Sequence, residues 1–313
     1  MTARLLGGID HVCIGASDLE ATTRFFVEGL GLWLLADGLI GGSGYLALWG
    51  TALRQPRRAR LIGHPGAPGG RLRIVEAALP PPPSTTLIDL GIFDVDFMTT
   101  DLDALCRRIR HVGFPLWTDP RAYQVGTIEI REVVAEAPDG LRSALIQDTG
   151  SPSALRAWPE LGVSEATITA VGVDDLERGL TFYRAAFGLA PMRVFEICNR
   201  DLNAVLRIPA SVTLRVGLLD MAPARLELIQ VIDGGEPRQD IREQQRPPRA
   251  GFQGNAYRVA ALDEALAACL AAGATLLAGP VDLPADILHP ASRRAALLAD
   301  PVGTAFELME ERG

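Results

Sequence analysis

The chain has 313 residues, of which 48% are hydrophobic and 22% charged, with a formal net charge of −8. The length allows two domains of ordinary size, and the composition is globular rather than disordered or fibrous. The acidic balance argues against nucleic acid as a main partner, because phosphate binding needs a basic surface.

Near the N-terminus Val12, Ile14 and Ala16 alternate with His11, Cys13 and Gly15. This period of two predicts a strand with two unlike faces. Ser17 then reads as a helix N-cap, with Glu20 three residues on in capping-box position. The helix carries Leu19, Phe25, Phe26 and Leu30 and is expected to end at Gly29 and Gly31. Four short β-like runs follow at 32–36, 44–49, 60–63 and 71–77, separated by Gly/Pro turns. The arginines at 54, 57, 58 and 60 read as a solvated hairpin. Pro80 to Pro83 form a stiff spacer. A second β-α-β-β-β unit then opens with a strand at 91–98 and a helix from Asp101 to Gly113, and it turns at Pro138, Asp139 and Gly140.

The first unit recurs. Asp18-Leu19-Glu20, Phe25-Phe26 and Leu30-Gly31-Leu32 return as Asp175-Leu176-Glu177, Phe182-Tyr183 and Phe187-Gly188-Leu189, each 157 residues later. The second unit recurs as Leu262-Asp263, Gly273 and Pro280, each 160 residues after Leu102-Asp103, Gly113 and Pro120. A repeat held in register over this length implies duplicated supersecondary units. The expected modules are about 7–78, 86–148, 165–232 and 250–310, in two domains, 1–150 and 164–313, joined by a linker at 151–163. The fold class is α+β. Two such units side by side make a curved, mixed eight-stranded sheet around a cleft, with helices outside. Which modules share a cleft is left open, first with second or first with fourth.

Cys13, Cys106, Cys198 and Cys269 lie far apart without a C-x-x-C pair, which predicts reduced thiols and a cytoplasmic setting. Residues 1–8 lack the apolar core of a signal peptide, and the apolar stretch 265–281 is too short and too broken to span a bilayer. A soluble monomer or homodimer without a membrane partner is expected.

The pattern Asp10-His11-Val12-x-Ile14, Asp18-Leu19-Glu20, Phe25-Phe26 and Leu30-Gly31-Leu32 resembles the opening of a vicinal oxygen chelate module. That superfamily includes glyoxalase I, extradiol dioxygenases and bleomycin resistance proteins. Asp101-Leu102-Asp103 and Pro138-Asp139-Gly140 fit it too. The resemblance covers nearly all of the chain and implies the fold strongly and the reaction weakly. It implies metal ligands on the first and last strand of each module. The first-strand positions are His11, Asp94, Ile168 and Gly254. The last-strand positions are Glu76 or Arg73, then Ala144, Glu227 and Glu307. Ile168 and Gly254 stand where an extradiol dioxygenase would carry histidines, which argues against that activity.

On this resemblance the catalytic candidates are His11, Asp94 and Glu76, and the metal candidates are His11, Glu76, Asp94 and Glu307. One imidazole with carboxylates suits Fe, Mn, Zn or Ni, and no organic cofactor is expected. The implied function is a glyoxalase-like lyase or isomerase that stabilises an enolate of a small oxygenated metabolite on the metal. The alternative is a metal-free protein, either sequestering a ligand or using His11 and Asp94 as acid and base. His64, His111 and His289 read as surface residues, and Tyr257, Phe97, Trp49 and Trp33 as core or cleft walls.

Overall fold

The structure is a computed structural model, and it describes residues 6–50, 55–83, 89–149, 162–235, 239–289 and 291–311. In chain order the first module contains β1 (Leu6–Ala16), α1 (Leu19–Arg24), β2 (Trp33–Ile40), α2 (Ser43–Trp49), β3 (Arg57–Gly63) and β4 (Arg71–Glu76). The second contains β5 (Gly91–Thr99), α3 (Leu102–His111), β6 (Arg121–Val125), β7 (Ile128–Glu136) and β8 (Arg142–Asp148). The third contains β9 (Val163–Gly172), α4 (Leu176–Phe187), β10 (Pro191–Ile197), α5 (Arg200–Val205), β11 (Thr213–Met221) and β12 (Ala224–Asp233). The fourth contains β13 (Gly251–Val259), α6 (Leu262–Ala271), β14 (Thr275–Leu283), β15 (Arg293–Ala299) and β16 (Ala305–Glu311).

These strands form two eight-stranded mixed sheets, ordered β14-β15-β16-β13-β1-β4-β3-β2 and β10-β11-β12-β9-β5-β8-β7-β6. The first sheet joins modules one and four through the antiparallel pair β1 and β13, and the second joins modules two and three through β5 and β9. Within each module the first and last strands pair in parallel, as β1 does with β4 and β9 with β12. Each sheet therefore draws on both halves of the chain, and the pairing that the repeats left open is first with fourth and second with third. Residues 151–161 of the expected linker lie outside the described residues.

Strand alternation sorts side chains into separate cores. Ile9, Val12 and Ile14 of β1, Val95 and Phe97 of β5, and the apolar faces of α1, α3, α4 and α6 belong to one large core shared by the two sheets. The opposite sheet faces carry two smaller clusters, one around Cys13, Tyr45, Trp49 and Ala256, the other around Phe93, Tyr123, Ala144 and Ala170. The central strands are covered on both faces, so β1 and β5 are buried along nearly all their length.

Two local expectations are corrected. The N-cap of α1 is Asp18, whose carboxylate accepts from the Ala21 backbone N–H at 2.9 Å, rather than Ser17. Residues 44–49 form part of the helix α2 instead of a strand. Tyr45, Leu48 and Trp49 recur at helical spacing and give α2 one buried face against the sheet. Gly44 permits that seat, since a Cβ there would stand 2.4 Å from the Asp282 carbonyl oxygen of β14. Of the arginine hairpin, Arg58 and Arg60 clasp Glu20 and Asp37 at 2.7 to 3.1 Å, so these charges pair locally.

Because neither sheet is complete within residues 1–150, a fragment ending there should lack a cooperative unfolding transition as a monomer. Co-expression with residues 162–313 should restore one stoichiometric, cooperatively melting species. A folded monomeric 1–150 fragment, seen by size exclusion and calorimetry, would contradict this assembly.

Candidate functional site

Each sheet has a cleft face, and the four central strands aim equivalent positions into it. In the first cleft these are His11 and Cys13 of β1, Arg73 of β4, Ala256 of β13 and Glu307 of β16. In the second they are Asp94 and Asp96 of β5, Ala144 of β8, Ala170 of β9 and Glu227 of β12. A break of register between Ile9 and His11, matched by one between Ile92 and Asp94, turns His11 and Asp94 toward their clefts.

The first cleft is filled by its own side chains. Arg73 donates through Nη1 and Nη2 to the two Glu307 carboxylate oxygens at 2.9 and 2.6 Å, and its Nη2 lies 3.1 Å from the Cys13 sulfur. Trp49 Nε1 donates to Glu307 at 2.8 Å, and the Arg73 guanidinium lies 4.6 Å from the Trp49 ring centre. Burial alone would raise the Glu307 pKa, but the Arg73 charge and hydrogen bonds hold it below the usual carboxylate value. Tyr45 donates to Asp286 at 2.7 Å, and Arg293 bonds both, closing the mouth.

His11 Nδ1 lies 2.9 Å from Asp10, while its Nε2 is buried without a hydrogen-bond partner. Burial and the Arg73 charge push the His11 pKa down against the pull of Asp10, so the ring is neutral at physiological pH. His289 is a correction to the surface reading: it is 5% exposed and packs 5.5 Å from the His11 ring. His64 is buried as well, at 8%.

His11, Cys13 and Glu307 present donor atoms within 4.8 Å of one another, a set that could hold a metal ion. The donor types suit a borderline transition metal. Their surroundings do not fit one as they stand, because the Arg73 guanidinium already takes both Glu307 oxygens and borders the sulfur. An added dication would face that fixed positive charge.

The second cleft is open. It encloses about 400 Å³, within the range of small-molecule sites. Its walls are aliphatic and aromatic, with Phe93, Val125, Ile130, Ile146, Phe195 and Val216 among them, and its polar end holds Asp94, Asp96, Glu132 and Glu227. Substitutions within the repeat account for the space. Tyr45 and Trp49 of α2 correspond, 157 residues on, to Leu202 and Leu206 at α5, which line the cavity without filling it. By strand register Arg73, opposite Cys13, corresponds to Glu227, opposite Ala170, and Glu307 corresponds to Ala144, so no arginine is paired with the last-strand carboxylate of the second cleft.

Burial raises the Asp94 pKa well above its ordinary value, and the neighbouring Glu132 and Glu227 charges raise it further. Asp96 is raised for the same reasons, burial first and Asp94 next. Burial brings Glu132 to about 7 against a hydrogen bond from Tyr123, and brings Glu227 to about 7 with help from Glu132. Near neutral pH the cluster therefore holds both protonated and ionised carboxyl groups, which can donate and accept protons at one end of an apolar pocket.

Of the residues singled out from sequence, His11 and Glu307 meet in the first cleft, and Asp94 lies in the second. Glu76 joins neither set. It follows Ile74 on the helix-facing side of β4, and its carboxylate accepts from the Arg58 backbone N–H at 3.1 Å. Arg73 is the last-strand residue that faces the cleft. Trp49 is a cleft wall, Phe97 and Tyr257 lie in the shared core, and Trp33 is 51% exposed. Sequence reading passed over Asp96, although strand periodicity puts it on the Asp94 face. Glu132 and Tyr123 carry no motif and come into the site only through the curvature of β6 and β7.

The family model for the Glyoxalase/Bleomycin resistance protein/Dioxygenase superfamily matches residues 8–145 and 167–308. Glyoxalase I from Zea mays is similar in fold, at 17% identity and a TM-score of 0.66 over 97% of this chain and 92% of that one. A mutant of the maize protein aligns at 18% identity and 0.67, covering 97% and 92%. A putative dioxygenase from Bacillus subtilis aligns at 11% identity and 0.63, covering 99% and 87%. Among curated proteins, none matches in sequence. With two matched repeats spanning most of its length and two module-paired sheets, the chain belongs to the Glyoxalase/Bleomycin resistance protein/Dioxygenase superfamily.

Proposed function

We propose that the chain acts on a small, largely apolar molecule in its second cleft, as a lyase or isomerase that moves a proton with its own carboxyl groups. The carrying observation is the open cavity of about 400 Å³ that ends in Asp94, Asp96, Glu132 and Glu227. Asp94 is the leading acid–base residue, because its Oδ1 is buried without a hydrogen-bond partner on the cavity wall. An ionised neighbour such as Glu227 would take a proton from the substrate while a protonated one returns it elsewhere. The apolar walls exclude water and keep both groups near neutral poise. Sequestration without turnover would use the same cavity. A cytoplasmic setting belongs to this proposal and rests on four free cysteines.

Small apolar ligands should raise the melting temperature of the protein, and Ala170→Phe, which fills the cavity, should abolish that rise. Bound carbon acids should exchange deuterium from D2O, and Asp94→Asn should slow this exchange by about 10²- to 10⁴-fold. Unchanged exchange in Asp94→Asn would remove it from this role.

The raised acids also predict a pH dependence of stability. Unfolded Asp and Glu release their protons near about 4, whereas Glu132 and Glu227 keep theirs until about 7 when folded. The folded state thus binds more protons between those values, and the stability of the ligand-free protein should fall as pH rises through that window. In Glu227→Gln the decline should be shallower, as read from chemical denaturation at several pH values.

A second reading keeps the metal-dependent enolate chemistry in the first cleft, favoured by the unpartnered His11 Nε2 and the His11, Cys13 and Glu307 set. Arg73 weighs against it. Elemental analysis after loading with Fe, Mn, Zn or Ni should find no stoichiometric metal in the parent. Arg73→Met should lose about 3–5 kcal/mol through the unpaired Glu307 and should gain metal affinity. About one ion per parent chain, lost in His11→Ala, would restore the metal enzyme.

A further inference from the structure

The second cleft contains more negative charge than proton transfer requires, and that excess bears on what it binds. Asp94, Asp96 and Glu132 are each no more than 5% exposed, and Glu227 reaches the same cavity. Buried carboxylates are ordinarily paired, because an uncompensated buried charge is costly. Among the described residues no salt bridge is formed by any of these four. The last-strand carboxylate of the first cleft, Glu307, has Arg73 against both oxygens.

The cations nearest the second cleft form no salt bridge with these acids among the described residues. Arg142 lies 3.6 Å from Glu136 and stacks 4.4 Å from the Trp117 ring centre. Arg225 lines the cavity itself, two residues before Glu227 on β12, yet the charge acting on Glu227 is that of Glu132. Asp94, which lines the cavity, adds a buried polar atom with no hydrogen-bond partner, its Oδ1. The arrangement is a set of carboxyl groups of which, among the described residues, none is salt-bridged to a cation.

We propose that the second cleft selects an organic cation: a molecule with an apolar body and one ammonium-type group that docks among Asp94, Asp96 and Glu227. This inference rests on the second cleft being the working site and names its ligand class. An ammonium group would replace the protons that the acids now share, supply donors to the free Asp94 oxygen, and leave the hydrocarbon against Phe93, Ile146 and Phe195. A bare metal ion suits the cluster less well. Among the described residues the set of three donors within 4.8 Å of one another is His11, Cys13 and Glu307, in the other cleft. An anionic ligand would add its charge to four acids and is excluded by repulsion.

The test uses three near-isosteric probes on the full chain, phenylbutylamine, phenylbutanol and phenylbutyrate, measured by calorimetric titration, with Mn²⁺ as a fourth. The amine should bind roughly tenfold or more tightly than the alcohol, a difference of about 1.4 kcal/mol, and the carboxylate should not bind. Amine affinity should rise from about pH 6 to about pH 8 as the cluster ionises. The titratable groups lining the cavity are Asp94 and Asp96 of β5, Tyr123 of β6, Glu132 of β7, Asp148 of β8, and Arg225 and Glu227 of β12, and the Arg142 charge also acts on Asp94. Asp94→Asn and Glu227→Gln should each remove most of the preference for the amine. Both are near-isosteric and relieve buried charge, so their melting temperatures should match or exceed the parent's, which shows that they fold.

Equal binding of alcohol and amine would overturn the cation inference and leave the apolar cleft reading intact. Protection by Mn²⁺ without binding of the amine would replace the organic cation with a metal. Amine binding that persists unchanged in both variants would place it outside the cleft and overturn the inference. Binding of none of the organic probes would remove both the inference and the cleft reading beneath it.

Discussion

Burying a carboxylate against a sheet is the constraint on which this structure turns. Glu307 and Glu227 are the last-strand carboxylates of the two clefts, and each must be compensated because low dielectric strongly disfavours an isolated charge. The first cleft does so with Arg73, held to both Glu307 oxygens at 2.6 and 2.9 Å. The second has Glu227 where the repeat places Arg73 and Ala144 where it places Glu307, and its acids are held nearer neutrality by protons instead. The exchange of arginine for glutamate on equivalent strands is one difference between an internally neutralised, filled cleft and an open one that still has charge to satisfy.

The same division appears in the helices over the clefts. Tyr45 and Trp49 of α2 enter the first cleft, and Trp49 bonds Glu307 while Tyr45 joins Asp286 and Arg293. In the second, Leu202 and Leu206 take those places and only line the wall. Aromatic bulk with hydrogen-bonding edges can close a polar cavity, whereas leucine cannot satisfy carboxylates and leaves volume beside them. The first sheet has therefore turned its cleft into packed structure, and the second has kept the space that small-molecule chemistry needs.

Much of the fold was legible because duplication writes itself into sequence. The constant spacing of Asp18-Leu19-Glu20 and its echo at Asp175 fixed four modules, and the alternation around His11 and Cys13 put both on a face opposite Val12 and Ile14. The site was less legible. Glu76 and Arg73 differ by three positions, and only the register of β4 against β1 decides which faces the cleft. The run 44–49 has strand-like composition, and its helical state depends on the close seat of Gly44 on β14. His289 sits in a Pro-flanked loop that reads as surface, yet the loop folds in over His11.

By itself the sequence determined the α+β class, the four repeated modules and the first-strand positions at His11 and Asp94, because local periodicity and internal repetition are properties of the chain. Tertiary structure decided which modules share a sheet, since β1 can pair with either neighbour's first strand without any change in local pattern. That pairing put His11 with Glu307 and Arg73, and Asp94 with Asp96, Glu132 and Glu227. The state of each buried acid then followed from its neighbours in space, because burial and charge act over a few ångströms regardless of separation along the chain.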